Sequence, residues 1–260
     1  MLQIVIPAFN EEARLPRTLR ELRRYVRENR ALLGEVEVIV VDNASTDATT
    51  QVALAAHTSA LPVRVVACPT RGKGAAVAAG IAVTTAPVVG FMDADGATRL
   101  SALVEATRLL ALGHDVAIGS RGAHGAVAEV RHSRLRESGA HWYRTWAQRV
   151  VPGVSDTQCG FKIMDGDLAR EACAELRTHG FSFDVELLAR LRRRGARLAE
   201  FPVEWADVPG STFEPLRHGA ASFVDLARIS WRLRGATAVV SVPRFAPAIA
   251  SPAPAVAVEA

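Results

Sequence analysis

Cysteine is scarce in this chain of 260 residues: Cys68, Cys159 and Cys173 are odd in number, widely spaced and form no Cys-x-x-Cys pair. That pattern excludes a disulfide framework and a structural zinc site, and it predicts a reducing compartment. Aromatic residues make up 6%, and no uncharged apolar run reaches the roughly 18 residues of a membrane-spanning helix. Residues 2–6 read as a first strand, not as the apolar core of a leader. The expectation is therefore a cytoplasmic protein, with peripheral contact at the inner face of a membrane left open. An acidic excess is missing too. The net charge of +4 suits an anionic ligand such as a phosphate, a nucleotide or a lipid head group. It is too diffuse to call for nucleic acid.

Two nucleotide signatures are absent. A P-loop ending at Gly72-Lys73 needs a glycine where Ala67 stands and Ser or Thr where Gly74 stands. A dinucleotide fingerprint needs a third glycine at Val77. The seven histidines show no metal-ligand spacing, and no internal repeat of 20–50 residues is seen.

What is present is alternation. Apolar, β-branched runs at Leu2–Ile6, Val36–Val41, Val63–Ala67, Val88–Met92 and Val116–Ile118 are separated by helical patterns from Glu12, Thr46, Gly74 and Ser101 onward. Strands without polar alternation are buried on both faces. With intervening helices they predict an α/β fold with a doubly wound, mostly parallel sheet. Further helices are expected over Leu135–Val150, Asp167–Arg177, Asp184–Arg194 and Ala220–Arg234, with a strand near Leu198–Val203. One domain over 1–235 is expected. The Ala/Pro-rich stretch 236–260 reads as a disordered tail, because its spaced prolines break helix and ladder alike.

In such sheets ligands sit beyond the carboxyl ends of the parallel strands. The first strand runs into Pro7-Ala8-Phe9-Asn10-Glu11-Glu12 and the second into Asp42-Asn43-Ala44-Ser45. The third leads to Arg71-Gly72-Lys73-Gly74, the fourth to Asp93-Ala94-Asp95-Gly96, and the fifth to Gly119-Ser120-Arg121. Singly, each is explained by a turn or a helix cap. Together they place acid, acid, base, acid pair and base on one rim. Such a rim can bind ribose and base, hold phosphates on a basic loop, and clamp a hard cation between Asp93 and Asp95. Carboxylate ligands select Mg2+ or Mn2+.

The segments "IVIPAFNEE", "VEVIVVDNASTDAT", "RGKGAAVAAGI", "VVGFMDADGAT" and "AIGSR" resemble the family 2 glycosyltransferases, nucleotide-sugar enzymes of the GT-A fold. "SDTQCGFKIM" and "FSFDVELLARLRRRGARLAEFPVEW" are similar to the dolichyl- or polyprenyl-phosphate β-glucosyltransferases and their mannosyl relatives. The likeness spans residues 2–234 in order. It implies that Pro7, Phe9, Asn10 and Glu11 shape the nucleoside pocket, that Asp42 meets the base, and that Arg71 and Lys73 lie near the phosphates. Asp93 would sit beside the donor with Ala94, and Asp95 would lead the metal ligation. Arg121 would meet an acceptor phosphate. Asp156, Gln158 and Cys159 to Lys162 would line the sugar side, while Asp184 and Glu186 would lie near the acceptor or hold the site together.

The implied reaction is an inverting displacement that moves a hexose, glucose in the first instance, from a UDP-sugar ahead of a GDP-sugar. The acceptor divides the mechanism. A polyprenyl or dolichyl phosphate is already anionic and needs no base, whereas a soluble hydroxyl acceptor, such as a secondary metabolite, needs a carboxylate to take its proton. Asp156 and Glu186 are the candidates for that task. A non-catalytic nucleotide-sugar binder is the remaining alternative. Residues 131–149 carry five arginines with Trp142, Tyr143 and Trp146, a composition that fits either an anionic membrane surface or a helix packed on the body.

Overall fold

The computed structural model describes residues 1–123, 126–129, 134–206 and 215–234. The tail expected over 236–260 lies outside the described residues, as do 131–133 of the basic segment. The first half runs β1 (Leu2–Ala8), α1 (Leu15–Glu28), α2 (Arg30–Leu33), β2 (Val36–Asp42), α3 (Thr49–Ala55), β3 (Val63–Ala67), α4 (Lys73–Ala82), β4 (Val88–Met92), α5 (Ser101–Ala111) and β5 (Val116–Ser120). The second half adds β6 (Val127–Glu129), α6 (Arg134–Val150), β7 (Phe161–Asp165), α7 (Gly166–Ala174), α8 (Phe183–Arg193), β8 (Leu198–Pro202), β9 (Glu204–Ala206) and α9 (Pro215–Arg234).

Seven strands form one sheet in the order β3-β2-β1-β4-β7-β5-β8, and β6 pairs with β9 in a separate ribbon. All neighbours in the large sheet are parallel except β7, which lies antiparallel between β4 and β5. The apolar runs are buried on both faces, as their lack of alternation requires. Along β1, Val5 enters the core under α4, while Leu2, Ile4 and Ile6 enter the opposite core under α1. Several kcal/mol of burial stand on each face, at about 1.5–3 kcal/mol for each fully buried aliphatic side chain.

The strand β7 does not announce itself in the sequence, because its second residue is a lysine. Reversal has a positional consequence. The parallel strands β1, β2, β4 and β5 end at the ligand rim, and an antiparallel neighbour begins there. The rim therefore receives residues 156–160, which precede β7, beside Asp93 and Asp95, which follow β4. The early helices also start later than the periodicity suggests. Residues 9–14 and 43–48 are used as loops before α1 and α3.

Candidate active site

The loops after β1 and β2 are tied to each other. Asn10 takes a positive φ of 54°, its amide donates to Ser45 Oγ at 3.1 Å, and its side-chain oxygen accepts from Thr46 N at 2.9 Å. Glu11 N donates to Thr49 Oγ1 at 2.8 Å. Its carboxylate accepts both Nε and Nη2 of Arg14, at 2.7 and 2.5 Å. The remaining guanidinium nitrogen, Nη1, is buried without an acceptor among the described residues. Burial raises the Glu11 carboxyl above its ordinary value, opposed by Arg14 and assisted by the charges of Asp95 and Asp93. Pro7 and Phe9 flank this turn half-buried.

Asp42 closes β2. Burial works against its charge, but bonds from Ser45 N at 3.0 Å and Thr50 Oγ1 at 2.8 Å hold it below the usual carboxylate value. Next to it Asn43, 6% exposed, fixes the loop that follows β3. Its Nδ2 donates to Cys68 O and Thr70 O at 3.1 and 2.6 Å, and its Oδ1 accepts from Gly72 N at 2.8 Å. Gly72 has φ 128°, and a side chain there would run into the His179 carbonyl at 2.2 Å. Only glycine lets the two loops approach so closely. On this loop Arg71 lies 5.7 Å over the Phe9 ring.

Lys73 opens α4 and reaches Asp93 Oδ1 at 2.5 Å. Burial disfavours its charge, yet Asp93, Asp184 and Asp95 together raise its affinity for the proton. Asp95 Oδ1 accepts from Ala97 N at 3.0 Å, while Oδ2 accepts no hydrogen bond among the described residues. Burial, then the charge of Asp93, pushes the Asp95 carboxyl up. Between them Ala94 is buried, and its carbonyl accepts from Thr18 Oγ1 at 2.7 Å, which ties the acid pair to α1.

On the other flank Arg121 chelates Asp156, with Nε to Oδ2 at 2.7 Å and Nη2 to Oδ1 at 3.0 Å, and its backbone N adds a third bond at 3.1 Å. Its guanidinium lies 5.6 Å from the Trp205 ring centroid. Burial opposes the charge of Asp156, but Arg121 holds its carboxyl below the ordinary range. Glu200 fastens the same turn by accepting from Ser155 N and Asp156 N. Gln158 is half-buried in that turn.

Two of the expected residues turn away from the open rim. Glu186 accepts from Thr178 N at 2.9 Å and from Arg190 Nε at 3.0 Å, so it braces the 177–179 segment behind Gly72. Lys162 is wholly buried, donates to Cys159 O at 2.7 Å and Asp184 Oδ1 at 2.5 Å, and sits 5.2 Å from the Phe91 ring centroid. Asn43, Gly160 and Glu200 also belong to the site framework, yet only their partners in space reveal them.

Asp93 and Asp95 offer two hard oxygen donors, one with a free oxygen and both close to like charge. This fits a divalent cation that takes its other ligands from water and substrate phosphate. No cluster of three or more His, Cys, Asp or Glu with ligand geometry occurs among the described residues.

The family model described as Glycosyl transferase family 2 matches residues 3–171. The dolichyl-phosphate beta-glucosyltransferase of Drosophila melanogaster is 35% identical over 227 residues, 82% of this chain and 69% of that protein. Its Mus musculus counterpart is 32% identical over 258 residues, 90% of this chain and 78% of that one. Among solved structures, glucosyl-3-phosphoglycerate synthase from Mycobacterium tuberculosis, in complex with Mn2+, UDP and phosphoglyceric acid, superposes with a TM-score of 0.66. It is 22% identical and covers 90% of this chain and 78% of that one, a likeness of fold. The sheet and its helices have the fold of the GT-A nucleotide-sugar transferases. The chain belongs to glycosyl transferase family 2 and is a glycosyltransferase.

Proposed function

We propose that the protein is an inverting, divalent-cation-dependent hexosyltransferase that moves glucose from UDP-glucose to a polyprenyl phosphate of the dolichyl type. The observation that carries the choice of acceptor is the state of the two carboxylates weighed as bases. Both oxygens of Asp156 are held by Arg121, and both oxygens of Glu186 are held by Arg190 and the Thr178 amide. Both carboxyls lie below their ordinary values although burial opposes it, so neither is poised to take a proton. An anionic phosphate oxygen attacks without that help. The relatives named for dolichyl-phosphate glucosylation, from fly and mouse, support the same acceptor.

In this reading Glu11 and Asp42 hold the ribose and the base, and the Phe9–Arg71 stack borders the nucleoside. Lys73 and Arg71 meet the negative charge that grows on the departing diphosphate. Mg2+ or Mn2+, held by Asp95 with Asp93, would supply Lewis-acid stabilisation of that leaving group. Nη1 of Arg121 makes no bond among the described residues and is the donor offered to the acceptor phosphate, which it aligns behind the anomeric carbon. The exposed indoles Trp142 on α6 and Trp231 on α9, 65% and 77% accessible, suit peripheral contact with the bilayer that carries the lipid. No described helix is long and apolar enough to cross a membrane.

The test is a screen of UDP- and GDP-hexoses with Mg2+ and Mn2+ against polyprenyl phosphate and against soluble alcohols. Lipid-linked glucose formed from UDP-glucose is the expected product. Transfer to alcohols with none to polyprenyl phosphate overturns the acceptor assignment.

A further inference from the structure

Lys73 and Asp93 form an ion pair in the donor site itself, with side chains 18% and 35% exposed. Asp93 is one of the two carboxylates that the metal would need. Among the described residues, its partner Asp95 has no cation within ion-pair distance, although the charge of Arg14 acts on it. Among the described residues, the cation in direct contact with this acid pair is therefore the Lys73 ammonium.

Behind Lys73 a second carboxylate waits. Asp184, 2% exposed, stands at the start of α8 in contact with Lys162, and its charge also acts on Lys73. Lys73 thus feels two acids, one shared with the proposed metal position and one that is not. The loop carrying it is stiff. Gly72 N is held by Asn43 at 2.8 Å and Gly74 N by the His179 carbonyl at 2.7 Å, so only the lysine's flexible stem is left to move.

We propose that Lys73 is a cation placeholder: it occupies Asp93 until a divalent cation arrives, then swings from Asp93 to the donor diphosphate, with Asp184 keeping its charge compensated in transit. The inference rests on the metal-dependent reading above. A dication beside Asp93 and Asp95 repels the ammonium, and the diphosphate offers it a stronger anionic partner. Metal and nucleotide would then bind with positive coupling, because each removes an obstacle to the other, and the coupling is reciprocal.

Mn2+ titrations followed by electron paramagnetic resonance of the free ion, with and without UDP, test this without any turnover. Lys73→Met should tighten Mn2+ binding in the absence of UDP by about tenfold, through loss of the competing charge. It should also shrink the enhancement that UDP gives. Lys73→Gln, which keeps a polar end, should behave alike, and Lys73→Arg should retain the weak binding of the wild type. If circular dichroism shows either neutral variant folded and its Mn2+ affinity is unchanged or lower, the placeholder role is refuted while the metal site stands. Absence of Mn2+ binding by the wild type even with UDP would overturn the metal reading and the inference together.

Discussion

Gly160 offers a test of how tightly the acid pair is positioned. It precedes β7, and a Cβ built there would lie 1.9 Å from Asp93 Oδ2. Contacts of this kind essentially never fall below 3.0 Å, so Gly160→Ala forces the carboxylate to retreat by at least about 1 Å. Gly160 does not have a positive φ, so the backbone tolerates alanine and the conflict is one of side chains alone. The Asp93 side chain is 35% exposed and has room to swing outward, which should keep the loss of stability below about 1 kcal/mol. The cost falls instead on geometry. The 2.5 Å contact with Lys73 is broken, and in the proposed reaction the metal and donor would lose one aligned oxygen. A misplacement of about 1 Å is enough for a rate loss near 100-fold. Initial rates of UDP release with polyprenyl phosphate present, alongside thermal unfolding, make the measurement. Gly139→Ala is the control: that glycine lies in α6 with nothing within 4 Å of its would-be Cβ, and alanine should leave the rate unchanged while adding helix stability of about 0.5–1 kcal/mol. Activity of Gly160→Ala within threefold of the wild type would refute the steric argument.

Three further outcomes follow from the same geometry. Asp95 has its carboxyl raised by burial and by Asp93, so the folded chain holds a proton that the unfolded chain has released, and stability falls as pH rises from 3.8 through the raised value. Asp95→Asn should therefore melt higher than the wild type at pH 7.5 in EDTA, with the advantage fading toward pH 3.8, while sugar transfer drops at least about 100-fold; a lower melting temperature at pH 7.5 contradicts this. Lys162→Met leaves Asp184 buried without its cation and should cost about 3–5 kcal/mol in urea unfolding, most of it recovered in the double variant Lys162→Met/Asp184→Leu; a single-variant loss below about 1 kcal/mol argues against the buried pair. Asn43→Ala removes the three bonds that hold the 68–72 loop. It should raise the KM for the donor about tenfold with a smaller change in kcat, a split that steady-state kinetics at saturating acceptor resolves.

The five early strands are legible because each buried run is bounded by polar turn residues, and the helices between them because their apolar positions recur at helical spacing. The strand β7 is not. Phe161-Lys162-Ile163-Met164-Asp165 carries a lysine that local reasoning assigns to solvent, whereas a carboxylate 22 residues away lets it be buried completely. The same limit governs the site. Glu11, Lys73, Asp93 and Asp95 stand out because charged residues at successive strand ends have few structural duties. Asn43 and Gly160 do not, because an asparagine in a turn and a glycine before a strand have ordinary local explanations. What makes them matter is a carbonyl 25 residues ahead and a carboxylate across the sheet. Glu186 illustrates the converse: a helix-borne acid reads as a candidate base until Thr178 and Arg190 take both its oxygens.

In the proposed reaction, the reversed strand also lets one rim serve both an electrophile and an anionic nucleophile. A wholly parallel sheet would bring only the residues after its strands to the carboxyl edge, and in this chain those after β1, β2 and β4 are mainly acidic. Because β7 begins at that edge, it delivers Asp156 and Gly160 between the ends of β4 and β5. Asp156 fixes Arg121, which the charge of Asp93 also reaches, so both Lys73 and Arg121 bring positive charge toward the acid pair. A donor diphosphate and an acceptor phosphate repel each other in water. In the proposed reaction each would meet its own cation, leaving the anomeric carbon between them, which is the arrangement an in-line displacement requires.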